Sequence, residues 1–239
     1  MPRAFVGTSG FSYPEWRGSF YPAGLPVGEM LAHYARTFST VEINNTFYRY
    51  PTAATLARWA EAVPPEFRFA VKAHRRITHL KRLADVDGDL ACLSERLRAL
   101  GDRRGPVLFQ LPPSLRYDRG LLTAFLGALR PGAPAVLEVR HPSWQDPAVY
   151  RLLDAAGVSL CVAETDEQPA HREVVGPVSY LRLHRSRYAG DDLRRWADWI
   201  RQRLAEGRDV YAYFTHEEGA PAPQYARTLA RLIGASPAP

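Results

Sequence analysis

Apolar and polar residues alternate in six stretches of the chain: TVEINNTF from Thr40, FRFAVKAH from Phe67, PVLFQLP from Pro106, AVLEVRH from Ala135, SYLRLH from Ser179 and VYAYFTH from Val210. A repeat of two is the signature of a β-strand, whose successive side chains point to opposite faces. One parity is apolar (Val41 and Ile43, Phe69 and Val71, Leu137 and Val139, Leu181 and Leu183), which predicts a face packed against helices. The other parity carries Glu42, Asn44, Lys72, Gln110, Glu138, Arg140, Arg182, His184 and His216. An unpaired charge costs several kcal/mol to bury, so such groups on adjacent strands must pair with one another or meet a ligand. The pattern predicts one shared polar site.

Further strands are expected at Ala4 to Thr8 and Val158 to Glu164, and helical periods fill most of the intervals. They run Met30 to Thr37, Ala53 to Val63, Asp89 to Leu100, Asp118 to Leu129, Pro147 to Ala156, Asp192 to Glu206 and Gln224 to Ile233. Thr52, Asp118, Asp146 and Asp191 stand where N-caps belong. Between the sixth and seventh strands, TDEQPAHREVVGP has no helical period. About eight strands alternating with about seven helices imply parallel pairing through right-handed crossovers, and a closed TIM-like (β/α)8 barrel fits better than an open sheet. No glycine-rich phosphate fingerprint follows a strand, which argues against a dinucleotide cofactor. A single domain over residues 1–234 is expected, with a disordered tail at 235–239.

Composition changes this picture in one respect. At 46% hydrophobic and 23% charged residues, the chain has an ordinary globular make-up. Met1-Pro2-Arg3 runs straight into the first strand and no stretch matches a membrane span, so a cytoplasmic protein with no membrane partner is expected. Cys92 and Cys161 are expected as buried, reduced thiols. The net charge of +6 favours anionic partners in principle. Of 31 cationic residues, however, only Lys72 and Lys81 are lysine, and helical arginines such as Arg194, Arg195, Arg201 and Arg203 read as a solvated face. In a chain that uses arginine almost everywhere, a lysine on a strand points to a need for a compact charge or a titratable amine.

In a barrel, side chains at the strand C-termini and in the loops beyond them form the active face. On that rule Glu42, Asn44, Lys72, His74, Gln110, Glu138, Arg140, Asp166, Arg182, His184, Thr215 and His216 belong at the mouth, and His79, His141 and Trp144 in the loops above it. His33 and His171 are expected elsewhere. Two readings of this set are open: a ligand site with acids, bases and cations, or an ion-paired plug that sets side-chain layers. Glu42 and Glu138 read either as a general acid and base or as counter-ions of Lys72, Arg140 and Arg182. Lys72 reads as a Schiff-base amine or as a point charge for phosphate or carboxylate. Glu42, Glu138, Asp166, His184 and His216 have side chains that suit zinc, manganese or iron. No HxH or HExxH spacing supports a metal, the nearby cations oppose one, and none is expected to be obligatory. The first loop, SGFSYPEWRGSFYPAG, concentrates Phe11, Tyr13, Trp16, Phe20 and Tyr21; these, with Phe47, Tyr48 and Tyr50, read as stacking surfaces or as a self-packed lid.

Taken in order, GTSGFSYPEWRGSFYP, TVEINNTFYRYP, the Lys72 segment ending in ITHLKRL, FQLPPSL, LEVRHPSW, YLRLH and YFTHEEGAPAPQYARTL resemble the YecE-like family of unknown function, domain of unknown function 72. The resemblance runs from Gly7 to about Leu232 and implies a TIM-barrel-like fold with no established reaction. The positions it carries over are Glu42, Asn44, Thr46, Tyr48, Lys72, Gln110, Glu138, Arg140, His141, Trp144, Arg182 and His184. Two departures stand out: Arg185 where the family commonly has glycine, and Thr215-His216 where it commonly has a pair of amides.

The expectation is therefore a barrel protein with a polar pocket for a small anionic ligand, an enzyme in which Glu42, Lys72 and Glu138 do the chemistry. Asn44, Thr46, Tyr48, Gln110, Arg140, His141, Trp144, Arg182 and His184 would then contact the ligand. Two alternatives are a metal-dependent phosphoester hydrolase acting on nucleic acid, and a non-catalytic nucleic-acid-binding protein that uses its arginines and first-loop aromatics.

Overall fold

The alternating segments pair in strict chain order into a closed barrel of eight parallel strands. They are β1 (Ala4–Ser9), β2 (Thr40–Ile43), β3 (Arg68–Lys72), β4 (Arg104–Gln110), β5 (Ala135–Glu138), β6 (Ser159–Thr165), β7 (Val178–His184) and β8 (Asp209–Thr215). The structure is a computed structural model and describes residues 1–215 and 221–234. His216 and the 235–239 tail, both subjects of expectation above, lie outside the described residues. Around the barrel run α1 (Met30–Ala35), α2 (Ala53–Glu61), α3 (Asp87–Leu97), α4 (Arg119–Ala128), α5 (Pro147–Ala155), α6 (Gly190–Ala205) and α7 (Ala222–Ile233). As its sequence predicts, the link from β6 to β7 contains no helix. Among the described residues no helix is long and apolar enough to cross a membrane.

Local chemistry sets most helix starts. The Thr52, Asp118 and Asp146 side chains accept from the Thr55, Leu121 and Ala148 amides, each satisfying a donor that the helix itself leaves unpaired. The expected cap at Asp191 is displaced: α6 begins at Gly190, and Asp192 reaches back to accept from the Ala189 amide at 2.9 Å. A carboxylate in the first turn can do this work from within the helix, which is why aspartate alone does not mark the boundary. The two cysteines separate. Cys161 is buried inside the barrel, whereas Cys92 is exposed on α3, contrary to expectation. Arg203 also departs from the solvated face expected of it: it is buried, with its guanidinium 5.1 Å from the Trp199 ring centre.

Strand parity divides the molecule into two cores. Residues of one parity, among them Val41, Ile43, Phe69, Val71, Leu137, Leu181 and Leu183, pack outward against the helices. The opposite parity fills the barrel, and its lower layers are apolar: Phe5, Ala70, Leu108, Val136, Tyr180, Tyr211 and Tyr213. Phe5 and Tyr211 stack with centroids 4.6 Å apart. Higher up, this face turns polar, with Ser9, Glu42, Gln110, Glu138 and Arg182 all buried.

At one seam a side chain joins the strands. The β1 and β2 register is recorded only at Ser9 and Glu42. Below it the Tyr34 phenol, from α1, accepts from the Thr8 amide at 2.9 Å and donates to the Thr40 carbonyl at 3.0 Å. The strands pass so closely here that a Cβ on Gly7 would collide with the Thr40 carbonyl.

Candidate functional site

Register brings together what the sequence leaves far apart. Glu42 projects inward from β2, Gln110 and Glu138 from the last positions of β4 and β5, and Arg182 from β7. Arg182 donates through Nε to Glu42 Oε2 at 3.0 Å, through one terminal nitrogen to Glu42 Oε1 at 3.0 Å and through the other to Glu138 Oε2 at 2.7 Å. Glu42 also accepts from Ser9 Oγ at 2.7 Å, Asn44 Nδ2 at 3.0 Å and Tyr180 Oη at 2.7 Å. Glu138 accepts from Gln110 Nε2 at 2.8 Å and Arg140 Nε at 3.0 Å. All three charged residues are buried: Glu42 is 0% exposed, Glu138 2% and Arg182 3%.

Such saturation fixes the protonation states. Burial alone would raise both carboxyl pKa values, but the Arg182 guanidinium and the further donors outweigh it and bring each down to about 2. The same carboxylates hold Arg182 protonated. A carboxylate with so low a pKa and every oxygen engaged is a poor general base. Of the two roles open to Glu42 and Glu138, acid and base or counter-ions, the geometry fits the second: they are anions that orient Arg182.

Lys72 closes β3 beside this cluster and touches none of its oxygens. Its ammonium lies 4.2 Å above the Phe47 ring. Among the described residues it has no ion pair, because Arg182 has taken up the carboxylates within reach. Burial, followed by repulsion from Arg182, brings its pKa down to about 8. His184, at the end of β7, is likewise held neutral by burial and Arg182, with its pKa down to about 3 and its buried Nε2 without a partner. Asn44 has the same character. Glu42 only accepts, so the amide must present Nδ2, which leaves Oδ1 buried and unpaired. A cavity of about 310 Å³ opens over β5, β6 and β7, lined by Glu138, Arg140, Cys161, Thr165, His171 and His184 among others.

The other expected residues are dispersed. Trp144 is 0% exposed and its indole donates to the Leu115 carbonyl at 2.8 Å, so it belongs to the core and not to a ligand surface. Thr46 is also buried; its hydroxyl lies 2.7 Å from the Lys72 carbonyl and 3.0 Å from that of Ile43, tying β2 to β3. His141 caps the turn Pro142–Trp144 through Nδ1. Tyr48 points outward and is 69% exposed. Asp166 spends its carboxylate on the Ser186 amide. His171, expected away from the mouth, lines its cavity and meets Tyr150 Oη at 2.8 Å through Nε2. Among the described residues no three of His, Cys, Asp or Glu are grouped to hold a metal.

In the first loop, Trp16 and Tyr21 are buried and Phe20 packs on both, as a lid would. Phe11 and Tyr13 instead line a second cavity of about 560 Å³ with Trp59 and Asn44. Ser9 and Tyr180 were not anticipated as partners of Glu42. Tyr180 was within reach of inference, since it shares the parity of Arg182 two residues on. Ser9 was not, because only the β1 and β2 register brings it to Glu42.

Known proteins share this architecture. A crystal structure of a DUF72 family protein from Thermotoga maritima superposes with a TM-score of 0.80 at 21% identity, over 97% of this chain and 99% of that one. The UPF0759 protein YunF of Bacillus subtilis strain 168 is 21% identical over 96% of this chain and 94% of its own. The UPF0759 protein YecE of Escherichia coli K12 is 29% identical over 173 residues, or 70% of this chain; the match spans 60% of YecE. The model of the family described as "Protein of unknown function DUF72" matches residues 5–239, and the chain belongs to that family.

Proposed function

We propose that the barrel mouth binds a small anionic ligand through a phosphate or carboxylate group, and that the protein is an enzyme acting on that ligand by acid–base chemistry. One observation carries this reading: the mouth holds more cationic capacity than its acids use. Glu42 and Glu138 face Arg182, Arg140 and Lys72, and Arg182 engages both of them; of the other acids lining the cavity, Glu164 accepts from the Trp196 indole and Glu167 stands at the rim. Arg140 gives one donor to Glu138 while its side chain stays 40% exposed at the cavity. Lys72 has no acid partner at all among the described residues.

An anion entering here would meet the Arg140 guanidinium, able to make two parallel hydrogen bonds, and the neutral His184 imidazole; the Lys72 ammonium lies beside this lining, close enough to feel the Arg140 charge. The cavity volume falls near the lower end of the range for small-molecule sites. Lys72, with its pKa brought down to about 8, changes charge near neutral pH, so the acid–base role shifts to it from Glu42 and Glu138. Calorimetry with inorganic phosphate, sulfate and short carboxylates tests the reading. Saturable binding that weakens at least tenfold in Arg140→Ala, with the fold unchanged by circular dichroism, is expected; equal binding by both proteins would overturn it.

A further inference from the structure

The chain has two lysines, and the fold places them in opposite circumstances. Lys81 lies 2.9 Å from Asp89 Oδ2 and donates to the Asp85 carbonyl at 2.5 Å. Lys72 has been denied that company. Arg182 spans the two carboxylates beside it, and the Thr46 hydroxyl anchors its backbone from the turn after β2. The Phe47 face holds its amine at the mouth. An amine kept next to cations, paired with no acid and partly out of water, is in the setting that makes a lysine nucleophilic.

We infer that Lys72 forms a covalent imine with the carbonyl carbon of a ligand that also bears the anionic group held by Arg140. This inference rests on the anion-binding reading above and names its substrate class: an aldehyde or ketone carrying phosphate or carboxylate. The lone pair of Nζ attacks the carbonyl carbon, a C–N bond forms, and the carbonyl π pair moves to oxygen, which takes a proton to give the carbinolamine. Nitrogen then gives up a proton, the hydroxyl is protonated and leaves as water to give the iminium, and loss of the second nitrogen proton leaves C=N in place of C=O. Amine and carbonyl thus become imine and one water, with no oxidant or reductant. Glu42 and Glu138 act as positioning residues, since by engaging Arg182 they keep themselves from Lys72. With a pKa brought down to about 8, roughly a tenth of Lys72 is free amine at pH 7.

Lys81 makes the test internally controlled. The intact protein is incubated at pH 7 with glyoxylate, with glycolaldehyde phosphate or with neutral glycolaldehyde, then treated with borohydride to reduce any C=N bond, digested, and the adducts at both lysines are quantified by mass spectrometry. With the two anionic carbonyls, Lys72 is expected to be modified about tenfold more than Lys81, whose amine is engaged by Asp89 and the Asp85 carbonyl. Whichever of the two gives the larger ratio identifies carboxylate or phosphate as the preferred anion. Lys72→Arg should keep the charge and abolish the preference, while Lys81→Arg should leave it intact.

Equal modification of the two lysines overturns the inference. If phosphate or carboxylate binds in calorimetry while Lys72 stays unmodified, the imine fails and the anion-binding reading survives. A Lys72 preference undiminished with glycolaldehyde and in Arg140→Ala shows the reverse: a nucleophilic amine without an anion site, which overturns the substrate class.

Discussion

Arginine meets acid in two settings in this chain. On α6, Arg194, Arg195 and Arg201 each pair with the aspartate three residues earlier. The first and third of these pairs sit in water: the Arg194 side chain is 62% exposed and that of Asp191 73%. In the barrel, the Arg182 side chain is 4% exposed between two carboxylates at 0% and 2%. Exposed pairs contribute about 0–1 kcal/mol, because water screens the attraction and ordering two long side chains costs entropy. A buried cluster costs several kcal/mol to desolvate and regains this only through close, fully satisfied geometry. Identical residue types therefore decorate one surface and organise the other site. The arginine-rich composition means little until burial distinguishes the one residue on which the mouth depends.

Removing the central charge should break the comparison most. Arg182→Met is expected to lower stability by about 3–5 kcal/mol at pH 7, since two carboxylates would remain buried without a counter-charge. Denaturant unfolding measures this, and the loss should shrink toward pH 5 as the orphaned carboxyls take up protons. A loss below about 1 kcal/mol would put Arg182 in the same class as the α6 pairs.

Acid should reach the same cluster in the native protein. Both glutamates have pKa values brought down to about 2 in the folded state. A lowered carboxyl pKa gives stability that is fully present above the unfolded value and lost as pH falls through the folded one. Unfolding followed by fluorescence should therefore show a fall in stability from about pH 5 toward pH 2, much flattened in the double variant Glu42→Gln, Glu138→Gln. An unflattened profile would show that other carboxylates govern it.

Lys72 should behave in the opposite sense. Its lowered pKa means that folding disfavours the ammonium, so the penalty is present below the folded value of about 8 and disappears as pH rises above the unfolded one. Lys72→Met is expected to raise the melting temperature at pH 7 and to lose that advantage by pH 11. A lower melting temperature at pH 7 would mean that the Phe47 contact outweighs desolvation. The smallest effect belongs to the surface: Arg194→Ala should change stability by no more than about 0.5 kcal/mol and by less still in high salt.

Much of this was legible in the sequence because strands carry a period of two. Glu42, Gln110, Glu138 and Arg182 were placed on one face by parity alone, and burial energetics predicted that they would meet. Which would meet which was not legible. Glu42 and Arg182 are 140 residues apart and join across the lumen of a closed barrel, where shear and register decide the distance. Trp144, Thr46 and His141 were misassigned for a different reason: all three sit in loops at the active end, yet their polar atoms are used to hold those loops. Position relative to a strand end can be inferred from sequence, but not whether a donor is already spent. His171 illustrates the converse, since a link without helical period gives no phase by which to orient a side chain.

The Tyr34 phenol at the β1 and β2 seam has a consequence for how the molecule opens. Elsewhere the barrel wall is fastened by repeated backbone bonds, which give way cooperatively. Below Ser9 this seam is fastened by a single hydroxyl that accepts from one strand and donates to the other. A cylinder clasped at one place by a side chain has a defined line along which to unzip, and that line runs beside the strand that carries Glu42. The Thr8 amide should report this opening directly: in Tyr34→Phe its hydrogen exchange would accelerate while amides on β4 and β5 keep their protection. The clasp lets the wall part between the first and second strands while β1 stays paired with β8, giving the barrel a latch.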